Sequence, residues 1–384
     1  MKSKVILIGN YPSPISGQAV VSISGQAIAF KTMVDGFDPD SFYHVNTREK
    51  QESVKTINRV IDYFFVIFKF LLLILTKRVN TVYHIISSSE RGFIRDKIII
   101  DITRSLKKRI VIHSHNGDYN VFYNRQNKFV QKIIYKTINK VDKIILLSKK
   151  LSETFFFIED KSKFIYIPNG LPINRITHKH DQKKNIVNIL YLSNLIESKG
   201  YLDLLDSILL LKKNEKINKY HFHFAGGFLL NAHQDKSFTS IKEAKQLFFS
   251  TVEKNKLANY ITYHGIVEGE IKEELLVKAD IFILPTYYNI EAQPLTIIEA
   301  MAYGCAIYST KYRGIPEMLF AGINGEYIEA KNPEDIASKI SNSNFDKITK
   351  YGDQSIHIYK KHFTKEKYIA RMKKILFLSN DNSS

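Results

Sequence analysis

Short, largely apolar runs alternate along the whole chain with longer stretches whose apolar positions repeat at helical spacing. In the first half the runs at 4–8, 42–45, 81–86, 110–115, 143–147 and 164–167 read as strands. A polar stretch, ITHKHDQKKN at 176–185, then interrupts the pattern, and a second set of strands follows near 186–192, 221–225, 261–264, 281–284, 306–309 and 326–328. Strands that alternate with helices in this way imply parallel sheets covered on both faces, an α/β architecture. A chain of 384 residues exceeds one ordinary core. The polar stretch is the natural boundary, giving domains at 1–172 and 173–360. The tail, 361–384, reads as a helix with Ile369, Met372, Ile375 and Leu376 as its apolar stripe. There is no internal repeat and no long low-complexity segment.

One apolar stretch is unusual. Residues 60–76, VIDYFFVIFKFLLLILT, are interrupted by Asp62 and Lys69, and the longest clean run is Phe70 to Leu75. That is far below the roughly 18–20 residues a bilayer crossing requires, so a helix against the sheet is expected. Arg59 precedes the stretch and Lys77-Arg78 follow it, which leaves contact with a lipid surface or a lipid-linked substrate open. The N-terminus, MKSKVILIGNYP, has an apolar run shorter than a signal-peptide core and reads as the first strand.

Charge changes the picture more than composition does. The formal net charge is +18, with 27 Lys/Arg against 14 Asp/Glu in residues 1–172 and 29 against 24 in 173–384. Most of the excess lies in the first half, where Lys107-Lys108-Arg109 and Lys128, Lys132, Lys136, Lys140 at i, i+4 intervals make basic faces. A solvated face accounts for such clusters; an anionic surface partner accounts for the size of the excess. No nucleic-acid-binding module or zinc-finger spacing is present, so the inner leaflet of a membrane ranks ahead of nucleic acid. The single cysteine, Cys305, permits no intrachain disulfide and suits a reducing compartment, the cytoplasm.

The most informative segment is Asp280–Glu317, DIFILPTYYNIEAQPLTIIEAMAYGCAIYSTKYRGIPE. It reads as strand, loop, helix, strand, loop, with Pro294 in the first helical turn and Gly304 as the stop. Leu295, Ile297, Ile298, Ala300, Met301 and Ala302 make the helix a covered element, and Thr296, Glu299 and Tyr303 form its polar stripe. Free N–H groups at a helix start attract phosphate, whereas carboxylates repel it. Glu291 and Glu299 therefore suit sugar hydroxyls near that phosphate; a solvated glutamate plus a loop glutamate is the plainer reading of the spacing alone.

The motif EAQPLTIIE, followed by EAMAYG and RGIPE, resembles the signature of the family-4 glycosyltransferases. These are retaining enzymes that use nucleotide sugars and have the GT-B fold. Further pieces similar to that family run in order along nearly the whole chain: YPSPISGQA, IVIHSHNGD, FIYIPNG, SNLIESKG, FHFAGG, ITYHGIV and ADIFILPT. The resemblance implies two facing Rossmann-like domains with parallel sheets and an interdomain cleft, donor nucleotide on the C-terminal domain and acceptor mainly on the N-terminal one. It implies no metal or other cofactor; Asp38-Pro-Asp40 resembles the Asp-x-Asp of transferases of another fold, a tripeptide common by chance. In GT-B proteins a C-terminal helix often packs back on the first domain.

By the same resemblance Lys199 holds the donor diphosphate, Glu299 the ribose hydroxyls, Glu291 the donor sugar or its phosphate-proximal region, and Leu295 and Thr296 offer backbone N–H groups to phosphate. His115 matches the active-site histidine, with His113 as its competitor, and Gly17 lets backbone approach a ligand or simply makes a turn. The family usually has an arginine five residues before the lysine; here it is Asn194, which carries no charge. Arg313 or Lys311 then supplies the cation from another loop, or the diphosphate is held with less help. The leading expectation is a transferase that moves a sugar from a nucleotide-diphosphate sugar to a glycan or lipid-linked acceptor in bacterial surface polysaccharide assembly (lipopolysaccharide or capsule), at the inner face of the membrane. A GT-B nucleotide-sugar epimerase and a non-catalytic module that binds nucleotide sugar or polyanion are the alternatives.

Overall fold

The computed structural model describes residues 4–12, 24–47, 56–173, 185–231 and 234–377, the side chains of 56–61 excepted. The chain divides into two compact units, residues 1–172 with 363–384, and residues 173–362. The elements of the first are β1 (Lys4–Gly9), α1 (Gly25–Asp35), β2 (Phe42–Asn46), α2 (Thr56–Thr76), β3 (Val79–Ile85), α3 (Glu90–Ser105), β4 (Arg109–Ser114), α4 (Tyr119–Arg125), α5 (Lys128–Asn139), β5 (Lys143–Leu146) and β6 (Phe164–Tyr166). Their sheet is parallel, in the order β2-β1-β3-β4-β5-β6. Consecutive residues Val5 to Ile8 and Ile110 to Ile112 are all buried, so both faces are covered, as a parallel sheet requires.

The second unit runs β7 (Val187–Leu192), α6 (Tyr201–Lys213), β8 (Tyr220–Ala225), α7 (Ile241–Lys254), β9 (Ile261–Tyr263), α8 (Gly269–Lys278), β10 (Ile281–Leu284), α9 (Leu295–Ala302), β11 (Ala306–Ser309), β12 (Gly325–Tyr327), α10 (Pro333–Ser341) and α11 (Phe345–His362). A last helix, α12 (Lys365–Phe377), belongs to the first unit. Its Tyr368, Met372 and Leu376 enter the core beside Val5, Leu7, Phe30, Met33 and Tyr83, and Ile369 and Ile375 pack on the rim. Arg109 Nη1 donates to the Ile375 carbonyl at 2.6 Å, holding the helix end to β4.

The second sheet is also parallel, in the order β12-β11-β10-β7-β8-β9. From β7 the chain builds outward through β8 to β9, then crosses to β10 and builds the other way. The strands β7 and β10 are therefore neighbours at the point where strand order reverses. Open α/β sheets bind ligands at that switch point, beyond the carboxyl ends of the strands. The register is pinned at the other end, where the Asn188 N–H donates to Asp280 Oδ2 at 2.9 Å and the Asp280 N–H to the Asn188 carbonyl at 2.8 Å.

Cys305 is fully buried just before β11. The four lysines at 128, 132, 136 and 140 are exposed along α5. The stretch read as a helix against the sheet is α2; its Val66, Phe70 and Ile74 are buried, whereas the opposite face is not covered. Among the described residues no helix is long and apolar enough to cross a membrane.

Candidate functional site

Two loops meet at the carboxyl ends of β7 and β10. After β7 the chain stays bonded to the segment after β8, with the Ser193 N–H donating to Ala225 O at 3.0 Å and the Leu195 N–H to Gly227 O at 2.8 Å. It then makes a 3₁₀ turn over Glu197–Lys199 that ends in Gly200 at φ +79°. A Cβ at Gly200 would lie 2.2 Å from the Pro285 carbonyl oxygen, so the two loops approach closely only because this residue is glycine. The Tyr287 N–H donates to Ser198 O at 2.8 Å and fixes the approach.

This contact aims Lys199 into the loop after β10. Its Nζ donates to Glu291 Oε2 at 2.5 Å and lies 4.6 Å from the centre of the Tyr288 ring. The side chains of the pair are only 14% and 8% exposed. Each charge is thus neutralised by the other in a place where neither is well hydrated.

Helix α9 begins four residues beyond Glu291. Pro294 is its N-cap, one position ahead of the first turn where the spacing puts it. The N–H groups of Leu295 and Thr296 have no acceptor within the helix, and the positive end of the macrodipole adds to them. Glu299, one turn on, accepts from Lys272 Nζ of α8 at 2.7 Å. Tyr303, read as the third member of the polar stripe, is buried at the C-cap because the chain turns there into Gly304 at φ +68°. Thr296 and Glu299, the remaining two members of the stripe, are half-buried.

Of the two candidate replacement cations, Arg313 is the one beside this loop. The Gly314 N–H donates to Ala292 O at 2.9 Å, and Arg313 Nη2 lies 3.5 Å from Asn289 O. Arg313 has φ +48° and a buried Nε without a hydrogen-bond acceptor. Lys311 is exposed, with Nζ 5.9 Å from the Tyr327 ring centre. Asn194 takes part through its backbone, its carbonyl accepting from Tyr191 OH at 3.1 Å and from the Ile196 N–H at 2.9 Å.

Several residues of the site carry no signature in the sequence. Gln234 grips the loop after β10 with both ends of its amide: Nε2 donates to Tyr287 O at 2.8 Å, and Oε1 accepts from the Asn289 N–H at 2.9 Å. Asp235 accepts from the backbone and hydroxyl of Ser198 at 3.2 and 3.0 Å. Both lie in the loop after β8, beyond Gly226-Gly227, and their place at the same sheet end as Lys199 is the signal that points to them. Lys272, which holds Glu299, had no such signal.

His115 belongs to the first unit, just past the end of β4. It and His113 are buried, with ring centroids 4.0 Å apart. His113 Nδ1 lies 2.7 Å from Tyr83 OH inside the core, while His115 Nε2 has no hydrogen-bond partner. Burial pushes the His115 pKa down to about 3 and that of His113 well below its ordinary value, so both rings are neutral at physiological pH. Gly17 lies outside the described residues. Asp38 accepts from the Asp40 N–H at 3.0 Å and caps a turn, and among the described residues no group of three His, Cys, Asp or Glu side chains is placed to hold a metal.

Comparison with known proteins places these features. Residues 172–343 match the family described as glycosyl transferases group 1. An uncharacterized glycosyltransferase of Methanocaldococcus jannaschii is 26% identical over 309 residues, 75% of this chain and 72% of that protein. The capsular polysaccharide biosynthesis glycosyltransferase CapH of Staphylococcus aureus is 26% identical over 253 residues, 64% of this chain and 63% of that protein. The crystal structure of Anabaena Alr3699/HepE in complex with UDP superposes with a TM-score of 0.71 at 13% identity, covering 97% of this chain and 99% of that one. The fold is therefore of the GT-B class. Residues 172–343 are thus similar to the group 1 glycosyl transferases, and the chain is an enzyme of the glycosyltransferase class.

Proposed function

We propose that this enzyme moves a sugar, with retention, from a nucleotide-diphosphate sugar held by the second unit to a glycan or lipid-linked acceptor on the first. The observation that carries the reading is the buried Lys199–Glu291 pair at the switch point, with Glu291 four residues ahead of α9. Breaking the anomeric C–O bond builds negative charge on the leaving diphosphate, and fixed cations and N–H dipoles at that place lower the barrier. Lys199 has three N–H donors and spends one on Glu291, so two remain for phosphate oxygens. The N–H groups of Leu295 and Thr296 add to them, and Arg313 stands in for the cation that Asn194 does not supply. Glu299 commits Oε1 to Lys272 and keeps Oε2 for a ribose diol. His115 of the first unit, neutral and with Nε2 unengaged, offers a hydrogen bond rather than a charge. The leaving phosphate takes the acceptor's proton on the same face, which requires no protein nucleophile.

The pathway we infer is bacterial surface polysaccharide assembly, supported by the likeness to CapH. The enzyme works in the cytoplasm in peripheral contact with the anionic inner face of the membrane, a reading supported by the basic excess of the first unit. The epimerase alternative is not favoured, since the relatives named above are transferases. Incubation with a panel of nucleotide sugars, with membrane extract as acceptor, tests the proposal by release of nucleotide diphosphate. Release that depends on acceptor and falls in Lys199→Met supports transfer; no turnover of any donor refutes it.

A further inference from the structure

Helix α2 carries two apolar stripes. Val66, Phe70 and Ile74 face inward and are buried. Phe64, Phe68 and Leu72 are each offset from them by two positions, about 200° around the helix, and therefore face outward. Their exposures are 65%, 56% and 53%, and those of the adjoining Phe65 and Leu75 are 62% and 66%. The Phe64 and Phe68 rings stack on one another at 6.4 Å. From Phe64 to Leu75 the face runs about 16 Å along the helix. Soluble surfaces rarely leave five neighbouring large apolar side chains uncovered without a partner.

Charge identifies the partner. Between Asp62 and Glu90 the chain has no acidic residue, and Lys69, Lys77 and Arg78 are all exposed. Lys69 lies about 40° around the helix from Phe65, so its ammonium borders the apolar face, and Lys77-Arg78 close its C-terminal end. A long apolar stripe with cations at its border and end matches the acyl-to-headgroup boundary of an anionic bilayer, where aromatic side chains enter the boundary and lysines reach the phosphates. A second copy of the chain fits less well. In a two-fold contact the same patch meets itself, and the cations would oppose one another.

We propose that this face of α2, formed by Phe64, Phe65, Phe68, Leu72 and Leu75 with Lys69, Lys77 and Arg78, is a docking surface for a bilayer bearing anionic headgroups. The inference rests on the membrane contact proposed above and assigns it to one helix, which lies in the plane of the interface. It places the sheet side of α2 toward the protein.

The test is co-sedimentation of the full chain with vesicles of phosphatidylcholine, with and without phosphatidylglycerol. The wild type binds the anionic vesicles and is released by salt. Phe64→Ser/Phe68→Ser weakens that binding by more than about tenfold. Lys77→Glu/Arg78→Glu weakens it to a similar degree, since each near-surface cation contributes roughly fivefold. Both variants keep the thermal stabilisation by nucleotide sugar, which reports that they are folded. If the wild type binds neither vesicle, the membrane reading and this surface both fall. If it binds and the variants bind equally well, this surface is wrong while membrane contact stands. A wild-type dimer that Phe64→Ser/Phe68→Ser dissolves, without vesicle binding, assigns the face to a second copy instead.

Discussion

Lys199 and Glu291, ninety-two positions apart, meet as an ion pair because the loops after β7 and β10 converge at the sheet's switch point. Neither residue is held by its own loop alone. The turn at Gly200 and the bond from Tyr287 to Ser198 set the distance, and the pair in turn ties the loop after β7 to the loop that leads into α9.

Removal of one member leaves the other charge poorly solvated, which is costlier than removal of both. Glu291→Leu alone is expected to lower unfolding free energy by up to about 3 kcal/mol, and Lys199→Met/Glu291→Leu to recover much of that loss. Denaturant melts of the two singles and the double measure the coupling. Additive losses would show that the pair contributes no mutual stabilisation.

Gly200→Ala tests the convergence itself. The added methyl group meets the backbone carbonyl of Pro285 at 2.2 Å, and a residue at φ +79° is strained even without that contact. A loss of about 2 kcal/mol or more is expected, together with reduced turnover as Lys199 is displaced. Wild-type stability in this variant would mean that the loops are not so close.

Much of this was legible beforehand, and the reasons differ by element. Val187–Leu192 and Ile281–Leu284 are strands buried on both faces, so their apolar runs stand out and place the loops after them at one sheet end. Glu291, Glu299 and Lys199 lie in motifs, and the geometry puts Lys199 on Glu291. Tyr303, which helical spacing assigns to the polar stripe, is buried, because that spacing does not register where the C-cap bends the chain inward. Gln234 and Lys272 were not foreseen, since their roles depend on which loops and helices tertiary packing brings together. The open face of α2 was only half visible: its apolarity is in the sequence, but which side the sheet covers is not.

Gln234→Ala should act as a positioning change. It removes two hydrogen bonds to the loop after β10, each contributing about 1 kcal/mol to holding Tyr287 and Asn289 in place. Turnover is expected to fall about tenfold or more, alongside a stability loss of no more than about 2 kcal/mol, and Gln234→Glu, which keeps only the acceptor, should fall between. Unchanged kinetics with a lowered midpoint would make the residue purely structural.

The buried imidazoles make stability pH-dependent. In the unfolded chain His115 takes up a proton as pH falls through 6.5, whereas in the folded protein it stays neutral to about 3. The unfolded state then binds more protons, so stability declines between those values by up to about 1.4 kcal/mol per pH unit for this ring, and is insensitive to it above 6.5. Asp203, whose carboxyl burial pushes up to about 6, has the opposite slope between 3.8 and 6. Comparing His115→Gln with the wild type cancels that contribution. Denaturant midpoints from pH 7.5 to 5 should fall less steeply in the variant; equal slopes would contradict the burial of a neutral His115.

The central claim is that Glu299 and the start of α9 hold a nucleotide sugar. Thermal melts of the full chain with UDP-, GDP- and other nucleotide sugars, wild type beside Glu299→Ala, test it most directly. The account predicts that at least one donor raises the wild-type midpoint and that the variant binds it at least about tenfold more weakly, the loss of hydrogen bonds to a charged acceptor. Stabilisation by no nucleotide sugar, or equal stabilisation of the two proteins, would contradict it.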